Sequence, residues 1–449
     1  SGTYQIDCAS SGLNGKDEIS IADGTFTITS GKDGIHSENE DNEEDGFIYI
    51  AGGTFTISAE GDGISAASIL QVDDGTFDIT AGGGSENAEK KSSDSWGDFK
   101  GGKGGPGGMG RSGENGIQDE KMSQKPDDTQ DGEAPQKPAD AEDGEMPEKP
   151  DNIPDGEMPQ KPSDETTDEQ TTDETSETET TEESESTSMK GLKAGTSLMI
   201  ADGMFTVNSA DDSFHSNGSV TVNGGTFQIA SGDDAIHADE TLEVNAGTIN
   251  ITESYEGLEA LNLIISGGDI ILVADDDGLN AAGGNDSSGT SGGRDGMFGG
   301  DPMSSNSDGT LVISGGKLQI TASGDAIDVN GTVEITDGYI TTTGPTEGDT
   351  SVLDYDTSAS ITGGTFIGTG AASMAQTFDN SEQGVITTTI DKTDAQSTLE
   401  LVDSDGNIII TWTPELSYEY IILSSPEILT GETYTLNVNG TQAAEITAD

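Results

Sequence analysis

The stretch Thr54-Phe55-Thr56-Ile57-Ser58 decides the fold, because it returns about 22 residues later as Thr76-Phe77-Asp78-Ile79-Thr80. Polar and apolar residues alternate in both copies, which is the period of a β-strand with one buried face. A glycine precedes each copy, and the same Gly-led phrase recurs along the chain. Its copies begin at Gly2, Gly24, Gly53, Gly75, Gly203, Gly225, Gly247, Gly268, Gly316, Gly338 and Gly364.

This repeat predicts a solenoid, because one coil of about 22 residues cannot bury its apolar face alone. Stacked coils would pair their strands in parallel and merge the inward Phe, Ile, Val and Leu side chains into one core. We therefore expect an all-β fold: a right-handed parallel β-helix with a small C-terminal β cap and a long disordered acidic loop inserted into it.

Four segments follow from changes in composition. Solenoid coils are predicted over 1–82 and 189–375, the second part with a flexible Gly/Ser/Asn/Asp loop at about 283–307. Between them, 83–188 is rich in Gly, Pro, Ser, Thr and Glu, which is typical of a disordered insertion. From 376 to 449 the repeat fades into alternating strands, and we interpret this segment as the cap.

The charge of the chain restricts its partners. Of its 449 residues, 17 are Lys or Arg and 86 are Asp or Glu, which gives a formal net charge of -69. This charge repels nucleic acid and anionic lipid headgroups and attracts divalent cations. No apolar run reaches the length of a membrane span, so membrane insertion is not expected. The first residues lack the pattern of a signal peptide, so a secreted protein would have lost its signal.

Acidic turns carry the predicted chemistry. Asp33-Gly34-Ile35-His36-Ser37 and Asp62-Gly63-Ile64-Ser65-Ala66 share a template of acid, small, apolar, polar and small residues. Stacked coils would bring equivalent carboxylates about 4.8 Å apart, and Ca²⁺, which takes six to eight oxygen ligands, would neutralise them. The alternative is that these acids are ordinary solvated turn residues. The candidate ligands are Asp33, Asp62, Asp211, Asp212, Asp233, Asp234, Glu256, Asp276, Asp277 and Asp325.

The three histidines, His36, His215 and His237, fall at one position of this template and could in principle favour a transition metal. The same position holds other polar residues in other coils, namely Asn14, Ser65, Glu259, Asn280 and Asp328. We therefore interpret it as a polar row whose members hydrogen-bond their neighbours. Trp96 and Trp412 are too few for an aromatic sugar platform.

One coil replaces the acids with lysines. Lys190 should align with the aspartates and Lys193 with the histidines. A lysine beside calcium could abstract the proton α to a uronate carboxylate, which is the chemistry of a polysaccharide lyase. The alternative, which we favour, is that both lysines only offset neighbouring carboxylates.

The runs Ser209-Ala210-Asp211-Asp212-Ser213-Phe214-His215 and Ser231-Gly232-Asp233-Asp234-Ala235-Ile236-His237 closely resemble a family of secreted bacterial proteins named as carbohydrate-binding-domain-containing. The likeness continues through Glu253–Glu259 and Asp276–Gly284 and covers the chain outside the acidic loop. It implies a calcium-binding parallel β-helix shaped like the pectate lyases. It also implies a place on Gram-positive cell surfaces and binding to plant polysaccharide such as acidic pectin or cellulose.

Three functions are compatible with these patterns. We expect calcium-dependent binding of plant cell-wall polysaccharide outside the cell; a structural or adhesive surface protein and an active lyase are the alternatives. Whether the chain is an enzyme stays open, with binding favoured over catalysis. A binder would retain glycan without cleaving it, whereas a lyase would release unsaturated uronides.

Overall fold

The computed structural model of the chain describes residues 2–39, 45–88, 188–281, 309–346, 348 and 350–449. The described residues belong to one compact unit. The predicted disordered insertion at 83–188 lies outside them except for a few residues at its two ends, and the predicted loop at 283–307 lies outside them entirely.

Each coil contributes three short strands to a parallel β-solenoid, and equivalent strands of successive coils pair in parallel to form three faces. Face 1 contains Thr3–Cys8, Thr25–Ser30, Thr54–Ala59, Thr76–Ala81, Met204–Ser209, Thr226–Ser231, Thr248–Glu253, Asp269–Ala274, Thr365–Gly370 and the later parts of Gly309–Ala322 and Gly331–Thr343. Face 2 contains Leu13–Gly15, Ile35–Ser37, Ile64–Ala66, Leu192–Ala194, Phe214–Ser216, Leu279–Ala281, Ile327–Val329, Asp354–Tyr355 and the early parts of Ile236–Val244 and Leu258–Ile265.

Face 3 completes the coil. It contains Glu18–Ile21, Phe47–Ile50, Ile69–Val72, Ser197–Ile200, Ser219–Val222, Ser358–Ile361, Asn380–Ser381, the later parts of Ile236–Val244 and Leu258–Ile265, and the early parts of Gly309–Ala322 and Gly331–Thr343. A single 3₁₀ turn, Ser85–Asn87, is the one helical element among the described residues. None of these residues forms a helix with the length and hydropathy that a bilayer crossing requires.

The core repeats from coil to coil, as the alternating pattern predicts. Thr54 pairs with Thr76 and Phe55 with Phe77, so like residues lie above one another. The inward aromatic rings of face 1 stack nearly parallel with centroids 4.7–4.9 Å apart, which measures the rise of one coil. That column runs Tyr4, Phe26, Phe55, Phe77, Phe205 and Phe227.

The stack is continuous across both predicted insertions. Thr76–Ala81 pairs directly with Met204–Ser209, although more than a hundred residues separate them. Asp269–Ala274 likewise pairs in register with the later part of Gly309–Ala322. The first insertion therefore falls within one coil, between its strands Thr76–Ala81 and Leu192–Ala194, and the second falls between Leu279–Ala281 and Gly309–Ala322. The neighbouring coils stay in contact across both.

Antiparallel strands follow the last coils. Tyr418–Ser424 pairs antiparallel with Thr365–Gly370 on one side and with Val385–Thr393 on the other. A separate antiparallel sheet packs a second apolar core around Leu399, Leu401 and Leu436. Its strands are Leu399–Val402, Ile408–Trp412, Thr433–Val438 and Thr441–Thr447. The predicted fold class, an all-β parallel solenoid, is confirmed.

Candidate functional site

The acidic turns align one above another just before face 2. The amides of Gly34, Gly63 and Gly191 donate to the carbonyls of Asp62, Lys190 and Asp212 at 2.8, 2.8 and 2.9 Å, and later coils continue this series. One residue per coil therefore forms a column, which we call the acid column. Its members are Asp33, Asp62, Lys190, Asp212, Asp234, Glu256, Asp277 and Asp325.

The aspartates of this column bind the backbone of the next coil. Asp33 Oδ1 accepts from the amide of Asp62 at 2.9 Å, and Asp62 Oδ1 accepts from that of Lys190 at 2.8 Å. In the same way, Asp212 Oδ1 accepts from the amide of Asp234 at 3.1 Å. A buried amide without a partner is costly, so an aspartate at this position has a structural function in addition to any role in metal binding. The sequence pattern does not reveal this bond.

A second column runs along the middle of face 2, and we call it the polar column. The predicted alignment is confirmed, since Lys193 pairs with His215 and His215 with His237. Each column member lies three residues beyond the residue at the acid position of its own coil, which is Ser11, Lys190 and Ser351 in the coils of Asn14, Lys193 and Asp354. The polar column contains Asn14, His36, Ser65, Lys193, His215, His237, Glu259, Asn280, Asp328 and Asp354.

Lys190 is buried, with 1% of its surface exposed. Its Nζ lies 2.5 Å from Asp212 Oδ2 and 3.2 Å from Asp211 Oδ1. Burial disfavours the charged carboxylate of Asp212, but the charge of Lys190 and the hydrogen bond with His215 outweigh it and hold the pKa of Asp212 well below the usual value. The arrangement is that of a buried ion pair.

His215 and His237 lie one above the other between carboxylates. Their rings are nearly parallel with centroids 5.0 Å apart. His237 Nδ1 lies 2.6 Å from Glu259 Oε2, and its Nε2 lies 3.0 Å from Asp239 Oδ1. Burial disfavours the imidazolium, yet Glu259 and the other carboxylates hold the pKa of His237 well above its usual value. Both ring nitrogens thus face acids, which favours the imidazolium form of His237.

Beyond Glu256, the carboxylates of the two columns face one another. Burial and the charge of Glu259 raise the pKa of Glu256 well above its usual value. Burial raises the pKa of Asp325 to about 7, and burial together with the charge of Asp354 raises that of Asp328 to about 7. Asp277 shifts in the same direction because of burial and Asp276. These are like charges held close in a medium of low dielectric constant.

The described residues contain three groups whose ligand atoms all lie within 4.8 Å of one another, close enough to hold a metal ion. They are Asp211 with Asp212 and Asp233, Asp234 with His237 and Glu259, and Asp277 with Asp325 and Asp328. Glu259 and Asp328 were not among the sequence-predicted ligands. Their positions in the template were the available signal, because the polar position lies on the same side of the coil as the acid.

The other predicted ligands have different surroundings. Asp33 Oδ2 lies 3.0 Å from His36 Nδ1, and Asp62 Oδ1 accepts from Ser188 Oγ at 2.7 Å. Glu256 Oε2 accepts from Asn280 Nδ2 at 2.7 Å. These three acids and Asp276, the fourth remaining predicted ligand, belong to none of the metal-capable groups of the described residues.

Lys193 is the more accessible of the two lysines. Its side chain is 30% exposed, and its Nζ lies 4.0 Å from Asp62 Oδ2. It donates to Ser188 Oγ at 3.3 Å. A buried Lys190 held by two carboxylates cannot reach a polysaccharide, so proton abstraction would fall to Lys193 alone.

The comparisons with known proteins point to one family. A family model described as "Carbohydrate-binding domain-containing protein" matches residues 1–129, 163–235 and 233–411. These ranges take in all three groups of candidate ligands and most of the solenoid. No curated protein and no solved structure matches the chain.

Proposed function

We propose that this chain, which belongs to the family of carbohydrate-binding-domain-containing proteins, is an extracellular calcium-binding protein that recognises plant cell-wall polysaccharide, either acidic pectin such as polygalacturonate or cellulose. The family match over most of the chain is the observation that carries the carbohydrate-binding role. The calcium and the class of glycan are inferences from the charge and geometry of the site.

The carboxylates of Asp277, Asp325 and Asp328 fit calcium best. All three donate oxygen only, the donor type that Ca²⁺ prefers, whereas the group around His237 contains an imidazole. The third group is also all carboxylate, but its Asp211 and Asp212 already pair with Lys190. Asp277 Oδ1 accepts from the amide of Asp325 at 2.6 Å, and Asp325 Oδ1 accepts from that of Ser351. These bonds fix both side chains and leave each a second oxygen for an ion.

The raised pKa values of this group also support calcium binding there. Asp325 and Asp328 have pKa values of about 7 because burial and neighbouring carboxylates disfavour their ionised forms. The described side chains around them supply too little positive charge to offset this. A bound Ca²⁺ would supply that charge and could also accept a uronate carboxylate from an acidic glycan. The chain's own residues would position the ion through their fixed carboxylates.

Calorimetric titration with Ca²⁺ tests the metal site. We expect binding to the native chain and a loss of about tenfold or more in affinity at this site for Asp325→Asn combined with Asp328→Asn, because a calcium site depends on its ligand charge. Asp78→Asn is the matched control, since Asp78 is an exposed acid on the outer side of face 1. Equal affinity in both variants would contradict the assignment.

Affinity gels containing polygalacturonate test the glycan. Retardation with Ca²⁺ and none with chelator would support cation-bridged recognition of acidic pectin. If the chain is retarded neither with Ca²⁺ nor with chelator, the proposal turns to cellulose. A pull-down on the insoluble polymer then measures cellulose binding. Release of unsaturated uronides that disappears in Lys193→Ala would instead indicate a lyase.

A further inference from the structure

An aromatic pair lies on the outer side of face 3, away from both columns. Phe47 and Tyr49 alternate with Ile48 and Ile50, which are fully buried, so the two rings point outward and are half-buried. The rings are parallel to within 8°, with centroids 6.3 Å apart. Because both rings lie on the outer side of the strand, they take no part in packing the core.

The next two coils add further half-buried outward side chains beside this pair. Gln71 lies between Tyr49 and Met199, because it pairs with Tyr49 of the coil before and with Met199 of the coil after. Ile69, two residues earlier on the same strand, pairs with Ser197. These side chains are half-buried and alternate with the inward Leu70 and Val72. We define the sugar platform as Phe47, Tyr49, Ile69, Gln71 and Asp73.

Hydrogen bonds hold the polar edge of the platform in place. Tyr49 Oη donates to Asp73 Oδ2 at 2.5 Å, and Gln71 Nε2 donates to Asp73 Oδ1 at 2.8 Å. The bond from Tyr49 lowers the pKa of Asp73 and raises that of Tyr49 itself. An outward-facing aromatic residue whose hydroxyl is held by a neighbouring carboxylate loses little entropy when a ligand packs on it.

We infer that the sugar platform binds a pyranose ring of a neutral polysaccharide. A pyranose has an apolar face of C–H groups and an edge of hydroxyls, which complement the aromatic rings and the Gln71–Asp73 edge respectively. This inference rests on the proposed carbohydrate-binding function and assigns it a surface. It also differs from the sequence-based expectation, which looked for tryptophan and found no platform.

The surroundings favour a neutral chain that runs along the solenoid. Beyond the platform, the outward residues of face 3 are mostly uncharged; they include Ser197, Ser219, Thr221 and Thr241. They recur once per coil, at the 4.7–4.9 Å rise measured by the core rings. The nearby charges, such as Glu18 and Asp73, are negative, so they would repel uronates. No metal-capable group of described residues lies on this face to offset them.

Pull-down on microcrystalline cellulose tests this inference. The full chain is compared with Phe47→Ala/Tyr49→Ala, in calcium and in chelator. We expect the double variant to bind roughly tenfold or more weakly in both conditions, as for an aromatic hot spot. Tyr339→Ala is the matched control, because Tyr339 is an outward tyrosine on face 1 with 40% of its surface exposed. Circular dichroism and calcium titration check that the variants keep the fold.

Each outcome separates the platform from the proposed function. Cellulose binding that is lost in the double variant and kept in Tyr339→Ala supports the platform. Equal cellulose binding by the native chain and the double variant overturns the platform and leaves the carbohydrate-binding function standing. Binding of the native chain to polygalacturonate but not to cellulose also overturns it. Binding to neither polymer overturns both.

Discussion

Two stretches of the same site are built on one template and neutralise their charge in different ways. From Lys190 to Glu259 the chain supplies its own cations, because Lys190 pairs with Asp211 and Asp212, and His237 lies among three carboxylates. From Asp277 to Asp328 no ion pair with Lys, Arg or His is found among the described residues. In the first stretch the pKa of Asp212, beside Lys190, is lowered, whereas burial and neighbouring carboxylates raise the pKa values of Asp234 and Glu256. In the second stretch the pKa values of Asp277, Asp325 and Asp328 are all raised, those of Asp325 and Asp328 to about 7.

The difference shows that an acidic turn does not by itself define a metal site. Every coil places a residue at the same point, and a neighbouring side chain decides what that residue does. A carboxylate beside Lys190 is already neutralised, whereas one beside Asp328 needs an external cation or a proton. The acids that the sequence predicts as ligands therefore do not all have the same role.

Lys190→Met should give the largest effect on stability. It leaves the buried carboxylates of Asp211 and Asp212 without their lysine, which typically costs about 3–5 kcal/mol. Denaturant unfolding measures the change. Lys193→Met is the control, because its side chain is 30% exposed and lies 4.0 Å from Asp62. Equal effects of the two variants would show that the first stretch does not depend on its own cation.

Protonation of the second stretch should stabilise the fold, whereas protonation of Asp212 in the first stretch should destabilise it. The folded-state pKa of about 7 for Asp325 and Asp328 exceeds the unfolded value of about 3.9, so in chelator the free energy of unfolding should fall as pH rises from about 4 to 7. Each pKa unit corresponds to about 1.4 kcal/mol. Calcium should remove the fall, and Asp325→Asn with Asp328→Asn should flatten it. A stability that rises over this pH range in the native chain and not in the variant would refute the idea.

Gly324→Ala should give the smallest effect and sharpen the position of the proposed ion. A Cβ at Gly324 would lie 2.4 Å from Asp277 Oδ1 and 2.5 Å from Asp276 Oδ1. We expect a loss of about 1–3 kcal/mol from overpacking, together with weaker calcium binding. Gly52→Ala is the control, since the nearest atom to its Cβ would be 3.9 Å away. Unchanged calcium affinity in Gly324→Ala would place the ion elsewhere.

Much of the fold could be predicted from the repeat. Alternation in copies such as Thr25–Ser30 and Thr54–Ala59 predicted parallel strands, and these strands pair in register. The alignment of Lys190 with the aspartates and of Lys193 with the histidines followed from the template. The bond from Asp33 to the amide of Asp62 could not be predicted, because it depends on the direction of a side chain between coils.

The composition of the site was harder to predict than its position. Asp328 and Glu259 were recognised as polar residues of the turn and not as ligands, since spacing alone does not say which two columns face each other. Phe47 and Tyr49 were overlooked because each belongs to a strand with ordinary alternation. Only the stacking of coils shows that the two rings lie beside Gln71 and Asp73.

The sequence by itself determined the period, the inward and outward faces of each strand and the acidic character of the turns. These are local properties, set by alternation and by the residues that turns accept. The tertiary structure decided which carboxylates meet a lysine or an imidazolium and which meet one another. The charge balance of a buried site depends on the distances between side chains of adjacent coils. Residues more than a hundred positions apart become neighbours only when the coils stack.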